Sequence, residues 1–372
     1  MFRSAHAEAS DWREAVADCI AALGPLPKPD DGMARLGFVY VTELLAARMG
    51  VIVEALRDGT GVGDWAGAAG LGVAGDEADY FDEAALAIMV GDVPAGSYRL
   101  LSSPDAILRV NSVRPVRDTL SGPPLLVLHA DAAKSDIAEL IENVSAATEG
   151  YLIGGLTTSQ SPRHQVAGVV TDSGLSGVLF EPEVSVAISL SQGCAPIGGT
   201  HTITRAVNNY LFELDGRPAL DVLKEDVGDI LARDLRRAAG FIHAALPVAG
   251  SDTGDYVVRN LVGVDPGEGI VAIAETVAVG DRIMFVSRDS NAAARDFRAM
   301  LERLAKRANG AAQGALFISC IARGPNMFGA RGAELKMIRD VLGDIPLVGM
   351  YANGEISNSR LYGYTGVLTL FT

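Results

Sequence analysis

Cysteine is scarce: Cys19, Cys194 and Cys320 are the only three in 372 residues, and no two form a CxxC pair. An odd, scattered set builds no disulfide framework, so a reducing compartment is expected. No run of 18 apolar residues occurs, which predicts no membrane-spanning helix. The opening stretch MFRSAHAEASDWREAVADC lacks a basic start followed by an apolar run, so no signal peptide is read from it. These readings predict a cytoplasmic protein with no membrane partner. Positive charge is also short, with 31 Lys and Arg against 46 Asp and Glu and a formal net charge of −15. Such a field repels phosphate backbones, and no basic stripe with interleaved aromatics relieves it, so nucleic acid is excluded as a partner.

Several signatures of catalysis are missing as well. There is no GxxxxGK[ST] phosphate loop and no GxSxG elbow. The five histidines are scattered, and no HExxH pair or Cys/His cluster points to a metal. GVGDWAG and GAAGLGVAG superficially resemble a dinucleotide fingerprint. However, Gly70, Gly72 and Gly75 lead into the acidic stretch DEADYFDE and a strand, where a nucleotide site needs a helix.

Glycine, by contrast, is abundant at 42 residues, and 49% of the chain is hydrophobic. That composition fits a well-buried globular protein with many tight turns or close backbone approaches. An apolar run followed by a glycine and a small-residue loop is written three times: GDWAGAAGLGVAG (63–75), GYLIGGLTTSQS (150–161) and PLVGMYANGEISNS (346–359). In each case an apolar strand precedes the glycine by roughly 30 residues, the length of a β–α–β crossover. The strands are Leu36–Val41, Leu125–Ala130 and Ala315–Ile321, and the glycines are Gly67, Gly154 and Gly349. Between the second and third copies the pattern changes to alternating strands joined by turns, with an amphipathic helix expected over 230–245. The expected fold is a mixed α/β protein with many antiparallel strands. It has two interlocked lobes built from repeated β–α–β units, with helices covering the sheets. The expected divisions are an N-terminal helix and linker (1–34), a first domain (35–218) and a second (219–372).

The richest chemistry lies in the last third. Arg259 interrupts the apolar strand YVVRNLVGVD, and a charge there needs a partner if buried. Arg323 stands just past the end of a strand in SCIARGPNMFG, and Asn353 and Glu355 stand at the mouth of the next in ANGEI. Glu334 falls near a helix start, where the dipole favours a carboxylate. Two readings stay open. One is an internal ion-pair network, Arg259 with Glu355 or Arg323 with Glu334. The other is a polar pocket for a small zwitterion, in which arginine forks a carboxylate and glutamate holds an ammonium.

Three segments resemble the C-terminal domain of the FIST family: HTITRAVNNYLFELDGRPALDVLKE (201–225), DYVVRNLVGVDPGEGIVAIAETVAVGDRIMFVSRD (255–289) and ALFISCIARGPNMFGARGAELKMIRDVLGDIPLVGMYANGEI (315–356). WAGAAGLGVAGDEADY, YLIGGLTTS, GLSGVLF and SQGCAPIG resemble its N-terminal domain over roughly 35–218. The first glycine loop departs from the family's cysteine-containing form, with Ala66 and Ala68 flanking Gly67. The resemblance implies a sensory protein of bacterial signal transduction that binds a small molecule such as an amino acid. It also implies a separate signalling partner: a histidine kinase, a cyclase or a chemotaxis protein. Arg259, Cys320, Arg323, Glu334, Gly354 and Glu355 match the family pattern; with Asn353, Gly154 and Gly155 they form the expected ligand-binding set. No cofactor is expected. The alternatives are a haem-based nitric-oxide sensor, with His201 and Cys194 as axial candidates, and an enzyme using Cys320 or Glu355.

Overall fold

The computed structural model describes residues 1–110, 122–157, 164–232, 240–248, 250 and 254–372, residues 229–232 by their backbone alone. The described chain forms two compact units: residues 1–191 with 297–372, and residues 192–296.

The first unit repeats one motif three times. Met33–Thr42 runs parallel to Asp64–Gly70, Leu125–Asp131 to Tyr151–Thr157, and Gly314–Cys320 to Leu347–Ala352. Each first strand is flanked on its other side by an antiparallel strand: Ala85–Pro94, Leu175–Phe180 and Thr365–Phe371 respectively. Beyond the second parallel strand, each copy sends a short strand into another copy's sheet. Gly72–Ala74 pairs with Leu347–Ala352, Gln165–Ala167 with Asp64–Gly70, and Glu355–Ser357 with Tyr151–Thr157. The exchange is cyclic, so none of the three sheets is complete without its neighbour.

The three glycines sit where this exchange is tightest. Gly67, Gly154 and Gly349 each lie between a parallel partner (Val39, Leu128, Phe317) and an exchanged residue (Val166, Ile356, Ala74). A Cβ at Gly67 would lie 1.7 Å from the Val39 carbonyl oxygen. At Gly154 and Gly349 it would lie 1.9 Å from those of Leu128 and Phe317. These obstacles are backbone atoms in a ladder and cannot rotate away, so only glycine fits.

The inner faces of the three sheets meet in one core. Phe38, Phe180 and Phe371, one from each sheet, stand with ring centroids 5.7 to 6.4 Å apart. This spacing suits tilted aromatic pairs. Helices pack on the outer faces: Trp12–Leu23 and Met49–Thr60 on the first sheet, Ile137–Thr148 on the second, Ala333–Leu342 on the third. The chain also opens with a strand, Phe2–Glu8, paired with Ala85–Pro94.

The second unit is a closed antiparallel barrel of six strands. Cys194–Val207 neighbours Arg282–Arg288, then Ile242–Pro247, Tyr256–Asp265, Ile270–Ile273 and Tyr210–Leu214, which pairs back with Cys194–Val207. Closure pairs each of these six strands on both sides, and the two-residue strand Arg217–Pro218 adds to Tyr210–Leu214. The helix Ala219–Ala232 sends Leu220, Val222 and Leu223 into the core with Ile203, Ile283 and Phe285. Residues 233–239 of the helix expected over 230–245 lie outside the described residues, and Ile242–Pro247 at its far end is a strand.

The fold is therefore mainly β, 26% helical and 44% strand. This corrects the α/β reading of two interlocked lobes with helices covering the sheets. Apolar periodicity tells which residues face inward, but not whether a helix or another sheet stands opposite. Here sheet packs on sheet in the first unit, and a sheet closes on itself in the second.

Candidate functional site

The site is built at the end of the strand Gly314–Cys320. Alternation along this strand sends Ser319 to the outer face, under the helix Ala333–Leu342, and Cys320 to the inner face. Two polar clusters follow, one on each side of the sheet.

On the outer side, Arg323 Nε donates to Glu334 Oε1 at 2.9 Å, and Nη2 lies 2.8 Å from the same oxygen. Glu334 Oε2 accepts from the backbone N–H of Gly324 at 3.1 Å and from the Ser319 hydroxyl at 3.2 Å. Glu334 sits in the first turn of its helix, where the dipole favours negative charge. The guanidinium also lies 5.4 and 5.3 Å from the rings of Phe297 and Phe328, within cation–π range. Both side chains of the pair are 0% exposed. Beside them Tyr351 donates to Asp79 Oδ2 at 3.0 Å, and the same oxygen accepts from the Gly332 N–H at 2.9 Å.

On the inner side, Glu355 is paired in register with Gly155, and Ile356 with Gly154. Glu355 Oε2 accepts from the N–H and the hydroxyl of Thr365, at 3.1 and 2.7 Å. Among the described residues its Oε1 has no hydrogen-bond partner, and the Cys320 thiol, a weak donor, lies near the carboxyl. Complete burial pushes the Glu355 carboxyl up to about 8, against the opposing pull of Thr365 and of the nearby Arg323 charge. Burial, reinforced by Glu355, likewise raises the Cys320 thiol and keeps it protonated. The Asn353–Gly354 turn is pinned to the adjacent strand, with Asn353 N–H donating to Leu156 O at 3.0 Å and Leu156 N–H to Gly354 O at 2.9 Å. Asn353 is exposed, and Gly354 takes a φ of +131°.

The structure thus brings Cys320, Arg323, Glu334, Asn353, Gly354, Glu355, Gly154 and Gly155 to one end of the first unit. Arg259 is not among them. It stands on Tyr256–Asp265 of the barrel, where its Nε donates to Glu275 Oε2 at 2.8 Å. His201 and Cys194 lie on one barrel strand. Both ring nitrogens of His201 face carboxylates, Nδ1 that of Asp215 at 2.7 Å and Nε2 that of Asp226 at 2.9 Å. Sequence reading missed Ser319, Thr365, Tyr351 and Asp79. Ser319 carries a signal, as a polar residue inside the apolar run ALFISCI; Asp79 and Thr365 carry none. A cleft of about 500 Å³ opens elsewhere on the first unit, lined by Arg3, Leu23, Asp76, Ile338, Arg339 and Pro346. Among the described residues no group of three His, Cys, Asp or Glu is placed to hold a metal, and no helix is long and apolar enough to cross a membrane.

Comparison with known proteins adds the lineage. The FIST N domain model matches residues 35–217 and the FIST C domain model matches 219–358. The chain is 35% identical over 251 residues to the uncharacterised protein Rv0628c of Mycobacterium tuberculosis, covering 62% of this chain and 64% of the relative. It is also 35% identical over 235 residues to the uncharacterised protein Mb0898c of Mycobacterium bovis, covering 61% and 60%. The match thus spans less than two thirds of the length of these relatives. The chain belongs to the FIST family, whose domains are associated with sensory signal transduction.

Proposed function

We propose that this chain is a small-molecule-binding sensory protein whose ligand is an amino acid or a similar small zwitterion or carboxylate. It would bind where Cys320, Glu355 and the Asn353–Gly354 turn meet. One observation carries the reading: Glu355 is a fully buried carboxyl with an oxygen that no N–H or O–H among the described residues engages, one residue from a turn that reaches the surface. A buried acid so placed is costly unless something uses it. A ligand ammonium at Oε1 would draw Glu355 into its charged form, which the Arg323 guanidinium already favours. Arg323 is itself occupied by Glu334, so it acts on the ligand through its field and not as a fork. Binding that charges Glu355 and displaces the Asn353–Gly354 turn gives the ligand different affinities for two states, which a sensor requires. The receiver is a separate signalling protein. Three buried free cysteines suit a cytoplasmic setting. Cys320 as a nucleophile is disfavoured, because burial holds its thiol protonated.

Thermal unfolding against a panel of amino acids and small carboxylates tests this. One compound class is expected to raise the Tm by several degrees, and Glu355→Gln, still unfolding cooperatively, to abolish the rise. A panel without any shift, or a shift that survives Glu355→Gln, overturns the reading.

A further inference from the structure

One level of the first unit's core is polar where a core is ordinarily apolar. The residue after each of the three tight glycines belongs to a row of cross-strand neighbours on an inner face. In the third copy's sheet the row is Val367, Ile318, Met350 and Val73, all apolar. In the first copy's sheet it is Ala87, Tyr40, Ala68 and Gln165. In the second copy's sheet it is Ser176, His129, Gly155 and Glu355. The Tyr40 hydroxyl and His129 Nε2, 2.9 Å apart, join the two polar rows. The short strand Gln165–Ala167 packs against Leu175–Phe180, which carries Ser176.

Tyr40, His129, Gln165 and Ser176 are all fully buried. Among the described residues, both amide atoms of Gln165, Nδ1 of His129 and Oγ of Ser176 have no hydrogen-bond partner. One such group is an occasional cost of folding, whereas three side chains at one level are a pattern that asks for a partner. The chemistry of that partner can be read from the lining. Gln165 needs both a donor and an acceptor opposite it. Tyr40, His129, Gln165 and Ser176 are also uncharged, since burial holds His129 neutral by lowering it to about 3 and holds the Tyr40 phenol protonated. An ion would meet no countercharge among these four side chains.

We propose that this layer is an internal binding site, separate from the Glu355 site, for a small uncharged molecule that both donates and accepts hydrogen bonds. Water and a neutral amide or hydroxyl compound share that chemistry. Glu355 ends one of the rows, but the proposal rests on Gln165, Ser176 and His129 alone.

A high-resolution crystal structure of the full chain is the direct test. Density within hydrogen-bond distance of the Gln165 amide and of His129 Nδ1 is expected. A single-atom peak identifies water; a larger shape, matched by a small molecule released on denaturation and seen by mass spectrometry, identifies an organic guest. Wild-type density showing no guest, with the side chains paired among themselves, overturns the proposal. The near-isosteric Gln165→Leu gives a second, independent sign. If a guest is held, the substitution strands it and lowers the Tm by several degrees. If none is held, it removes a buried unsatisfied amide and raises the Tm, which also overturns the proposal.

Discussion

Arg323 Nε donates to one oxygen of Glu334 at 2.9 Å, Nη2 lies 2.8 Å from the same oxygen, and neither side chain meets solvent. Desolvating two charges is unfavourable, so the pair holds only while both members and their extra donors, Gly324 N–H and Ser319 Oγ, are present. Arg323→Ala or Glu334→Gln alone is therefore expected to cost about 3–5 kcal/mol, because each leaves a buried charge unpaired. Arg323→Met with Glu334→Leu is expected to cost clearly less than the two single changes summed. Urea unfolding of the three variants checks this. Single changes that cost under about 1 kcal/mol would mean that water reaches the pair.

The threefold glycine arrangement makes a sharper stability prediction. Alanine at Gly67, Gly154 or Gly349 places a methyl within 2 Å of a ladder carbonyl oxygen. Each substitution is expected to destabilise by about 1–3 kcal/mol or more, with similar losses at all three sites. Gly50, inside the helix Met49–Thr60, is the control, since a Cβ there meets nothing within 4 Å. Gly50→Ala is expected to stabilise by up to about 1 kcal/mol. Chemical denaturation midpoints of the four variants decide the matter.

How much of this was legible in the sequence differs from element to element. The parallel strand pairs announce themselves because Phe38, Val127 and Ile318 lie in apolar runs, followed a crossover's length later by Gly67, Gly154 and Gly349. The exchange of Gly72–Ala74, Gln165–Ala167 and Glu355–Ser357 between copies does not: a strand near Val166–Val170 is legible, but three-residue strands carry little periodicity and their partners are far away in sequence. That loss turned a mainly β fold into an α/β expectation. Barrel closure was invisible for the same reason, since the pairing of Tyr210–Leu214 with Ile270–Ile273 is set by tertiary register. The Cys320–Glu355 neighbourhood could be approached from family-like motifs. The partners Thr365 and Asp79 could not, being single polar residues with no motif around them.

Glu355 predicts an unusual alkaline dependence. Its folded-state carboxyl is near 8, above the ordinary 4.5, so the folded protein binds the proton more tightly than the unfolded chain. The associated stability is fully present below about 4.5 and is lost as pH rises toward 8, at about 1.4 kcal/mol per unit. His129 works in the opposite direction. Its folded value of about 3 lies below 6.5, so its contribution is lost as pH falls through that interval. Subtracting the pH profile of Glu355→Gln from that of the wild type isolates the first effect. The difference in urea midpoint is expected to shrink steadily from pH 5 to pH 8. A flat difference would show that Glu355 is ionised throughout.

His201 makes the last prediction, and it belongs to the barrel. Its ring nitrogens face Asp215, in the hairpin turn after Tyr210–Leu214, and Asp226, on the helix Ala219–Ala232. Two carboxylates can both accept only from a doubly protonated ring. Partial burial lowers the imidazole, but Asp215 and Asp226 outweigh it and raise the net value above 6.5. The sign then follows from linkage: the tie is fully present below about 6.5 and is lost as pH rises through the raised folded value. Hydrogen exchange, corrected for the intrinsic pH dependence, should show hairpin and helix residues 210–228 losing protection between pH 6 and 8. In His201→Gln the same segment should be less protected at pH 6 and should not respond to pH. Wild-type protection that stays constant across this interval would mean that the ring is neutral and that only one aspartate is held.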